Sequence, residues 1–200
     1  MKIVEAAKSD LDAFFSYLDG QLSENGQGET PLFLPMSREI EAVPEPAKAK
    51  FVQGFSYQCG DAGWRKLWLA KDESGKIKGH IDLRHHSDGN RLHRVLLGMG
   101  VDSTCRKQGL GTILLEYVLA FCQEHEAIDW LDLTVLSDNL PAKNLYLKTG
   151  FNIVGEFKDQ YRIDGQSVSE TAMAKAVKTT DRMLRSLTSV VVSDTRGLLS

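Results

Sequence analysis

The sequence predicts an α+β fold, a mixed sheet carrying helices, and three observations lead there. Strands are read near both ends of the chain, and period-two alternation marks two more over Lys66 to Lys71 and Lys76 to His86. Between the ends the order runs strand, helix, strand, helix. A glycine-rich loop from Arg106 to Thr112 opens directly into a run with apolar residues at Leu110, Ile113, Leu114, Val118 and Phe121, which is helical spacing.

Taken in order, Lys2 to Ala6 reads as a first strand. Ser9 is placed to cap a helix whose face is Leu11, Phe14, Phe15 and Leu18, ending near Gly20. Residues 25 to 46 hold four of the five prolines, Pro31, Pro35, Pro44 and Pro46, and read as a long irregular connection with one helical turn around Ser37 to Ala42. Connections of that length are often binding lids. Its apolar residues Phe33, Leu34 and Met36 either pin it to the core or wall a pocket. A second helix is expected from Pro46 to Tyr57, then strands over Lys66 to Lys71 and Lys76 to His86, with a turn at Asp72 to Gly75. In the latter strand Ile77, Gly79, Ile81 and Leu83 share one face, and Lys78, His80, Asp82 and Arg84 the other. Turn chemistry at Ser87 to Asn90 precedes a strand from Arg91 to Val101. Trp130 to Leu136 reads as a buried strand. Ser137-Asp138-Asn139 then caps a helix with Pro141 in its first turn and Gly150 just past its end. Phe151 to Phe157 and Arg162 to Met173 form the last strands, turned at Asp164-Gly165. Residues 1–174 read as one domain and 175–200 as a C-terminal extension. In the extension Asp181 is placed to cap a short helix, Val190 to Val192 suit a strand, and its order is left open.

At 200 residues the chain is long enough to bury a sizeable core. Apolar residues at 42% and charged ones at 26% are a soluble globular balance. A net charge of −3 without a block of Lys and Arg gives no reason to expect nucleic acid or an anionic membrane as partner. Cys59, Cys105 and Cys122 are odd in number and lack metal-ligand spacing, which fits a reducing cytoplasm. Lys2, Glu5 and Lys8 argue against a signal peptide, and Glu116 interrupts the best apolar helix, already too short to span a bilayer. His85 and His86 are adjacent on a strand and point to opposite faces, so no metal is expected.

The chemistry concentrates around the glycine loop. Without Cβ atoms at Gly109 and Gly111 an anion can approach the first N–H groups of the helix, where the dipole adds about half a positive charge. Arg106 and Lys107 supply countercharge. A tight strand-to-helix turn with a solvated Arg-Lys pair accounts for this stretch equally well. Spacing excludes two other phosphate loops. No Lys follows Gly111, as a Walker loop needs, and Leu114 stands where a dinucleotide fingerprint needs a third glycine. Further on, Asn139 and Tyr146 lie two helical turns apart on one face, with small Ala142 between them.

The two units in this order resemble the GCN5-related N-acetyltransferase (GNAT) superfamily. Its signature [RQ]-x-x-G-x-[GA] matches Arg106-Lys107-Gln108-Gly109-Leu110-Gly111, and its second motif matches Asn139 through Tyr146 to Gly150-Phe151. The resemblance covers about residues 66 to 174. It implies a central, mostly antiparallel sheet of six or seven strands flanked by helices, with acetyl-CoA as co-substrate. By the same resemblance the amides of Lys107, Gln108, Gly109, Leu110, Gly111 and Thr112 hold the pyrophosphate. The backbone of Met99 and Val101 pairs with the pantetheine arm and the thioester, Asn139 contacts the cofactor, and Tyr146 protonates the departing thiolate. Gly98 and Gly100 fit close approach of that ligand to the strand.

The resemblance leaves the base and the acceptor open. In some relatives that acetylate protein N-termini a Glu stands five residues before the Asn; here that position is Thr134. Asp132, Asp82, His80 and His93 lie nearby, and none is assigned. The expected acceptor is a small-molecule amine or a peptide N-terminus, with neither nucleic acid nor membrane as partner and a homodimer left open. Two rivals remain at this level: a GNAT-like module that binds acyl-CoA without turnover, and a nucleotide-binding protein using the same loop.

Overall fold

A computed structural model describes residues 1–86 and 88–178. The expectations at Asp181 and at Val190 to Val192 lie outside these described residues. Among the described residues there are seven strands and four α-helices: β1 (Lys2–Glu5), α1 (Leu11–Leu22), α2 (Glu45–Gly54), β2 (Arg65–Lys71), β3 (Ile77–His85), β4 (Arg94–Val101), α3 (Leu110–Glu124), β5 (Trp130–Leu136), α4 (Leu140–Lys148), β6 (Asn152–Ile163) and β7 (Gln166–Ala176). The strands form one sheet in the order β1-β2-β3-β4-β5-β7-β6. Every pairing is antiparallel except β4 with β5. The α+β expectation holds, at the upper strand number.

The alternation read in β3 decides what covers each face. Ile81 and Leu83 join Trp68, Val95, Leu97, Leu133 and Met173 in a core closed by Leu114, Leu115 and Val118 of α3 and by Tyr146 of α4. Leu67 and Leu69 of β2 face the other way, onto Phe14 and Phe15 of α1 with Phe51 of α2 beside them. His80 and Asp82 lie on this second face and are buried as well.

The parallel pair is short. β4 and β5 match only at Arg94 with Trp130, Val95 with Leu131 and Leu96 with Asp132. Beyond that point they diverge. β4 runs on to Val101 paired only with β3, and β5 runs on to Leu136 paired only with β7. A wedge therefore opens in the middle of the sheet, bordered by two strand edges whose ladder groups face it.

Several boundaries differ from the sequence reading, each for a local reason. Ser9 is not the cap of α1. A short 3₁₀ turn over Lys8–Asp10 comes first, and Asp10 accepts from the Ala7 N–H at 2.9 Å. α1 continues through Gly20 to Leu22, because Leu22 buries against the core and offsets the weak helix propensity of glycine. α2 begins one residue before Pro46 and ends at Gly54, short of Tyr57. β4 begins at Arg94 rather than Arg91, which leaves His93 outside the strand. The last pair is longer than expected. β6 runs unbroken to Ile163, with a register shift between Phe157 and Tyr161, and β7 extends to Ala176.

The connection from 23 to 44 holds no helix at Ser37 to Ala42. Its shape is fixed by Asn25, whose Oδ1 accepts from the Phe33 and Leu34 N–H groups at 2.8 and 3.0 Å and whose Nδ2 donates to the Leu34 carbonyl at 3.2 Å. One buried amide here replaces the bonds that a regular element would supply. The loop is also tied at both sides. Glu24 accepts from Ser103 and pairs with Arg106, while Arg38 pairs with Asp164 in the β6–β7 turn at 2.9 Å.

Candidate active site

The glycine loop leaves β4 through a 3₁₀ turn over Ser103–Cys105 that Asp102 caps by accepting from the Thr104 N–H at 3.0 Å. Two residues then adopt left-handed backbone, Lys107 at φ 60° and Gly109 at φ 86°. The second of these favours glycine. The first bond to α3 is Ile113 N–H to the Gly109 carbonyl at 3.1 Å, so the amides of Leu110, Gly111 and Thr112 precede any intrahelical acceptor. Nothing lies within 4 Å of the place a Cβ would take on Gly109, and Lys107 and Gln108 beside it are exposed. A pyrophosphate fits such a seat: open space, unpaired donors, a helix dipole and a solvated ammonium.

Two site residues do something the sequence reading did not foresee. Arg106 turns back instead of facing the loop's open side; its Nε donates to the Val101 carbonyl at 3.1 Å and its guanidinium pairs with Glu24 at 2.9 Å. Its structural work is to lock the 23–44 connection onto the end of β4. At Gly111 a Cβ would lie 2.9 Å from Leu145 of α4, so this glycine also lets α3 and α4 approach each other.

α4 follows β5 and packs against the start of α3 through Leu145. Asn139 caps it, accepting from the Ala142 N–H at 3.3 Å through Oδ1, which leaves the Nδ2 donors outside the cap. At its end Gly150 takes φ 86° and Phe151 N–H donates to the Tyr146 carbonyl at 3.0 Å, the left-handed stop that a C-terminal glycine makes. Tyr146 is 7% exposed, packed edge-on against Phe151 at 5.7 Å, in the same apolar cluster as Leu97 of β4 and Leu133 and Val135 of β5. Burial pushes its phenol above the ordinary tyrosine value. A phenol in that state stays protonated at neutral pH and can donate.

On the face covered by α1 and α2, glycine in β4 has a different cause from the one expected. A Cβ on Gly98 would lie 2.5 Å from Asp82 Oδ1, and one on Gly100 would lie 2.7 Å from the His80 ring. The space beside these glycines is filled by neighbouring side chains of β3. Asp82 pairs with Arg65 at 3.4 Å and Arg84 at 3.2 Å. Arg65 in turn stacks over Phe51 at 3.6 Å. Arg84 was legible as a partner at i+2 on one strand face; Arg65 required the β2–β3 register.

Of the groups weighed as a base, Asp132 is held by two bonds from Arg94, one at 2.7 Å from Nε, with His86 at 3.3 Å. His80 sits between Phe14 and Tyr17, its ring centroid 5.1 and 5.6 Å from theirs, and burial lowers it to about 4. Thr134 is exposed. His85 accepts from the Gly60 N–H at 3.0 Å and lies on the opposite face from His86. Among the described residues no helix is long and apolar enough to cross a membrane.

Comparison with known proteins gives one family. Residues 35–151 match the acetyltransferase (GNAT) family. An L-amino acid N-acetyltransferase, AaaT, of Escherichia coli K12 is 31% identical over 101 residues, 50% of this chain and 62% of that protein, so the chain spans less than two thirds of this relative's length. A GNAT-family acetyltransferase from Streptococcus pneumoniae superposes with a TM-score of 0.71 at 22% identity, covering 88% of this chain and 99% of that one. The acetyltransferase yncA of Salmonella typhimurium, solved with acetyl-CoA, superposes with a TM-score of 0.69 at 16% identity, covering 90% and 95%. These two likenesses are of fold.

Proposed function

We propose, on the premise that this chain belongs to the acetyltransferase (GNAT) family, that it is an N-acetyltransferase moving an acetyl group from acetyl-CoA to an amine. The observation that carries the reading is the wedge between β4 and β5. α3, whose first amides have no intrahelical acceptor, follows β4, and α4, which carries the buried Tyr146, follows β5.

In this reading the amides from Lys107 to Thr112 grip the pyrophosphate, with Lys107 as countercharge. The main-chain groups of Met99 and Val101, on the edge of β4 that β5 has left, pair with the pantetheine arm as an added strand would. The same edge orients the thioester carbonyl. Asn139 supports the cofactor with the amide protons that its cap does not use. The acceptor amine attacks the thioester carbon directly; a C–N bond forms and the C–S bond breaks. Tyr146 gives its proton to the sulfur, and the proton shed by the amine returns through solvent, since Asp132 and Asp82 are both engaged by arginines.

The acceptor is proposed to be a small amine or a peptide N-terminus, and the setting the cytoplasm. Acetyl-CoA mixed with the protein and a panel of amines is expected to release free CoA thiol in step with acetylated amine. Tight CoA binding without transfer to any amine overturns the reading in favour of a binding module. Displacement of CoA by ATP at similar concentration favours a nucleotide-binding protein instead.

A further inference from the structure

One acid–base pair on the α1/α2 face has no part in the proposed reaction. His86 Nε2 lies 3.3 Å from Asp132 Oδ2, and the same carboxylate takes the Arg94 Nε–H at 2.7 Å. A carboxylate can only accept, so this bond puts the imidazole proton on Nε2 and leaves a lone pair on Nδ1. Arg94, held over the Trp130 ring at 4.7 Å, already balances the charge of Asp132. The carboxylate therefore positions the ring without requiring it to be an imidazolium. Two other charged groups lie near. Asp88 is within electrostatic reach, but the Asn90 N–H and Arg91 occupy it at 2.8 and 2.9 Å, and Arg84 pairs with Asp82. The His86 side chain is 13% exposed, sheltered yet in contact with solvent.

Strand order puts this pair where the wedge begins. His86 follows β3 and Asp132 belongs to β5, so the bond between them passes over β4. Leu96 with Asp132 is the last rung before β4 and β5 part. Val95, Leu97, Leu131 and Leu133 point to the α3 side of the sheet, which leaves Arg94, Leu96, Asp132 and Thr134 on the α1/α2 side. Leu96 is only half-buried and Thr134 is exposed although both lie mid-sheet, so this side is open beside the same rung. A cofactor arm that starts at the loop after Val101 and pairs with Met99 carries its thioester toward that rung.

We propose that His86 takes the first proton from the acceptor amine, with Asp132 positioning its ring. The assignment rests on the transferase reading above and names the base that reading lacks. Two protons leave the nitrogen. The first passes from the ammonium to Nδ1 and on to solvent, which frees the lone pair for attack on the thioester carbon. The second leaves once the C–N bond has formed and replaces the proton that Tyr146 gives to sulfur. Tyr146 belongs to the cluster on the α3 side, so acid and base stand on opposite sides of the sheet.

The test follows kcat/KM for the best primary alkyl amine of the panel from about pH 6 to about pH 9, in the unaltered protein and in His86→Gln. The glutamine amide can still donate to Asp132, and CoA should bind both proteins equally. At pH 7 the variant is expected to be slower by about a hundredfold. Toward higher pH its rate should climb by about tenfold per unit, because only the scarce free amine can now attack, so the gap narrows to about tenfold or less at pH 9. A gap that stays constant across the range marks a structural role and overturns the proposal, as do equal rates at pH 7. Either result leaves the transferase reading standing. Failure of the unaltered protein to acetylate any amine overturns that reading, and the proposal with it.

Discussion

Tyr146→Phe lowers kcat by about a hundredfold or more, with the KM for acetyl-CoA nearly unchanged. The substitution deletes one oxygen and keeps the ring, so the edge-on packing against Phe151 at 5.7 Å and the place of the side chain among Leu97, Leu133 and Val135 remain. Fold and cofactor binding are thus expected to survive. What is lost is the proton. A thiolate expelled into the wedge without a donor is a poor leaving group, and the barrier rises by the whole contribution of that acid. Burial holds the phenol above its ordinary value, so kcat should not decline across the neutral range through loss of this proton. Steady-state thiol release for the two proteins, with acetyl-CoA saturating, reads the effect. Equal kcat values remove Tyr146 from the role of acid.

The second large effect is on stability. His80 is 8% exposed, its Nδ1 has no hydrogen-bond partner, and burial lowers it to about 4 against an ordinary value of 6.5, with the Asp82 charge opposing the shift. The native ring therefore resists protonation while the unfolded one accepts it. Above pH 6.5 neither state carries the proton and the native state keeps its full stability. As pH falls from 6.5 toward 4 the unfolded state takes up the proton first, so stability declines across that window. A separation of that size is worth on the order of 3 kcal/mol, a large part of an ordinary domain's stability. Urea unfolding at pH 7.0 and about pH 4.5 measures the loss. His80→Leu, which places an apolar side chain beside Phe14 and Tyr17, should show a shallower decline. An identical decline in both proteins assigns the acid sensitivity to other groups.

How much of this was legible beforehand depends on which side chains carry the signal. β5 was read with its observed limits, Trp130 to Leu136, because Leu131, Leu133 and Val135 are buried on one face and the flanking residues are turn formers. The cap at Asn139, the stop at Gly150 and the turn at Asp164-Gly165 were also legible, since their backbone requirements act on single residue types. β6 was underestimated because it is an edge strand. Lys158, Asp159 and Gln160 face solvent, Asp159 takes φ 54°, and the register shift there breaks the alternation that would have announced a strand. The α1–α2 connection was readable as irregular from its prolines, yet the organising role of Asn25 depends on four backbone groups that only folding brings to it.

The candidate site divides the same way. Residues whose work is local, the Gly109 loop and the capped helix with Tyr146, stand out in the sequence. Residues whose work depends on strand register do not. Gly98 and Gly100 suggested a ligand against the strand, but the immediate occupants of that space are Asp82 and His80. Arg106 suggested an open countercharge, but Glu24, far away in sequence, claims it. The wedge itself has no sequence signature, because it arises where β4 and β5 stop pairing after Leu96 and Asp132.

Amide-resolved hydrogen exchange with and without CoA tests the central claim most directly. The amides of Met99 and Val101, with those from Gly109 to Thr112, should slow by at least about tenfold when CoA is bound, since each gains an acceptor that folding does not supply. Protection confined to other segments, with these amides exchanging as before, would contradict a cofactor seated between β4 and β5.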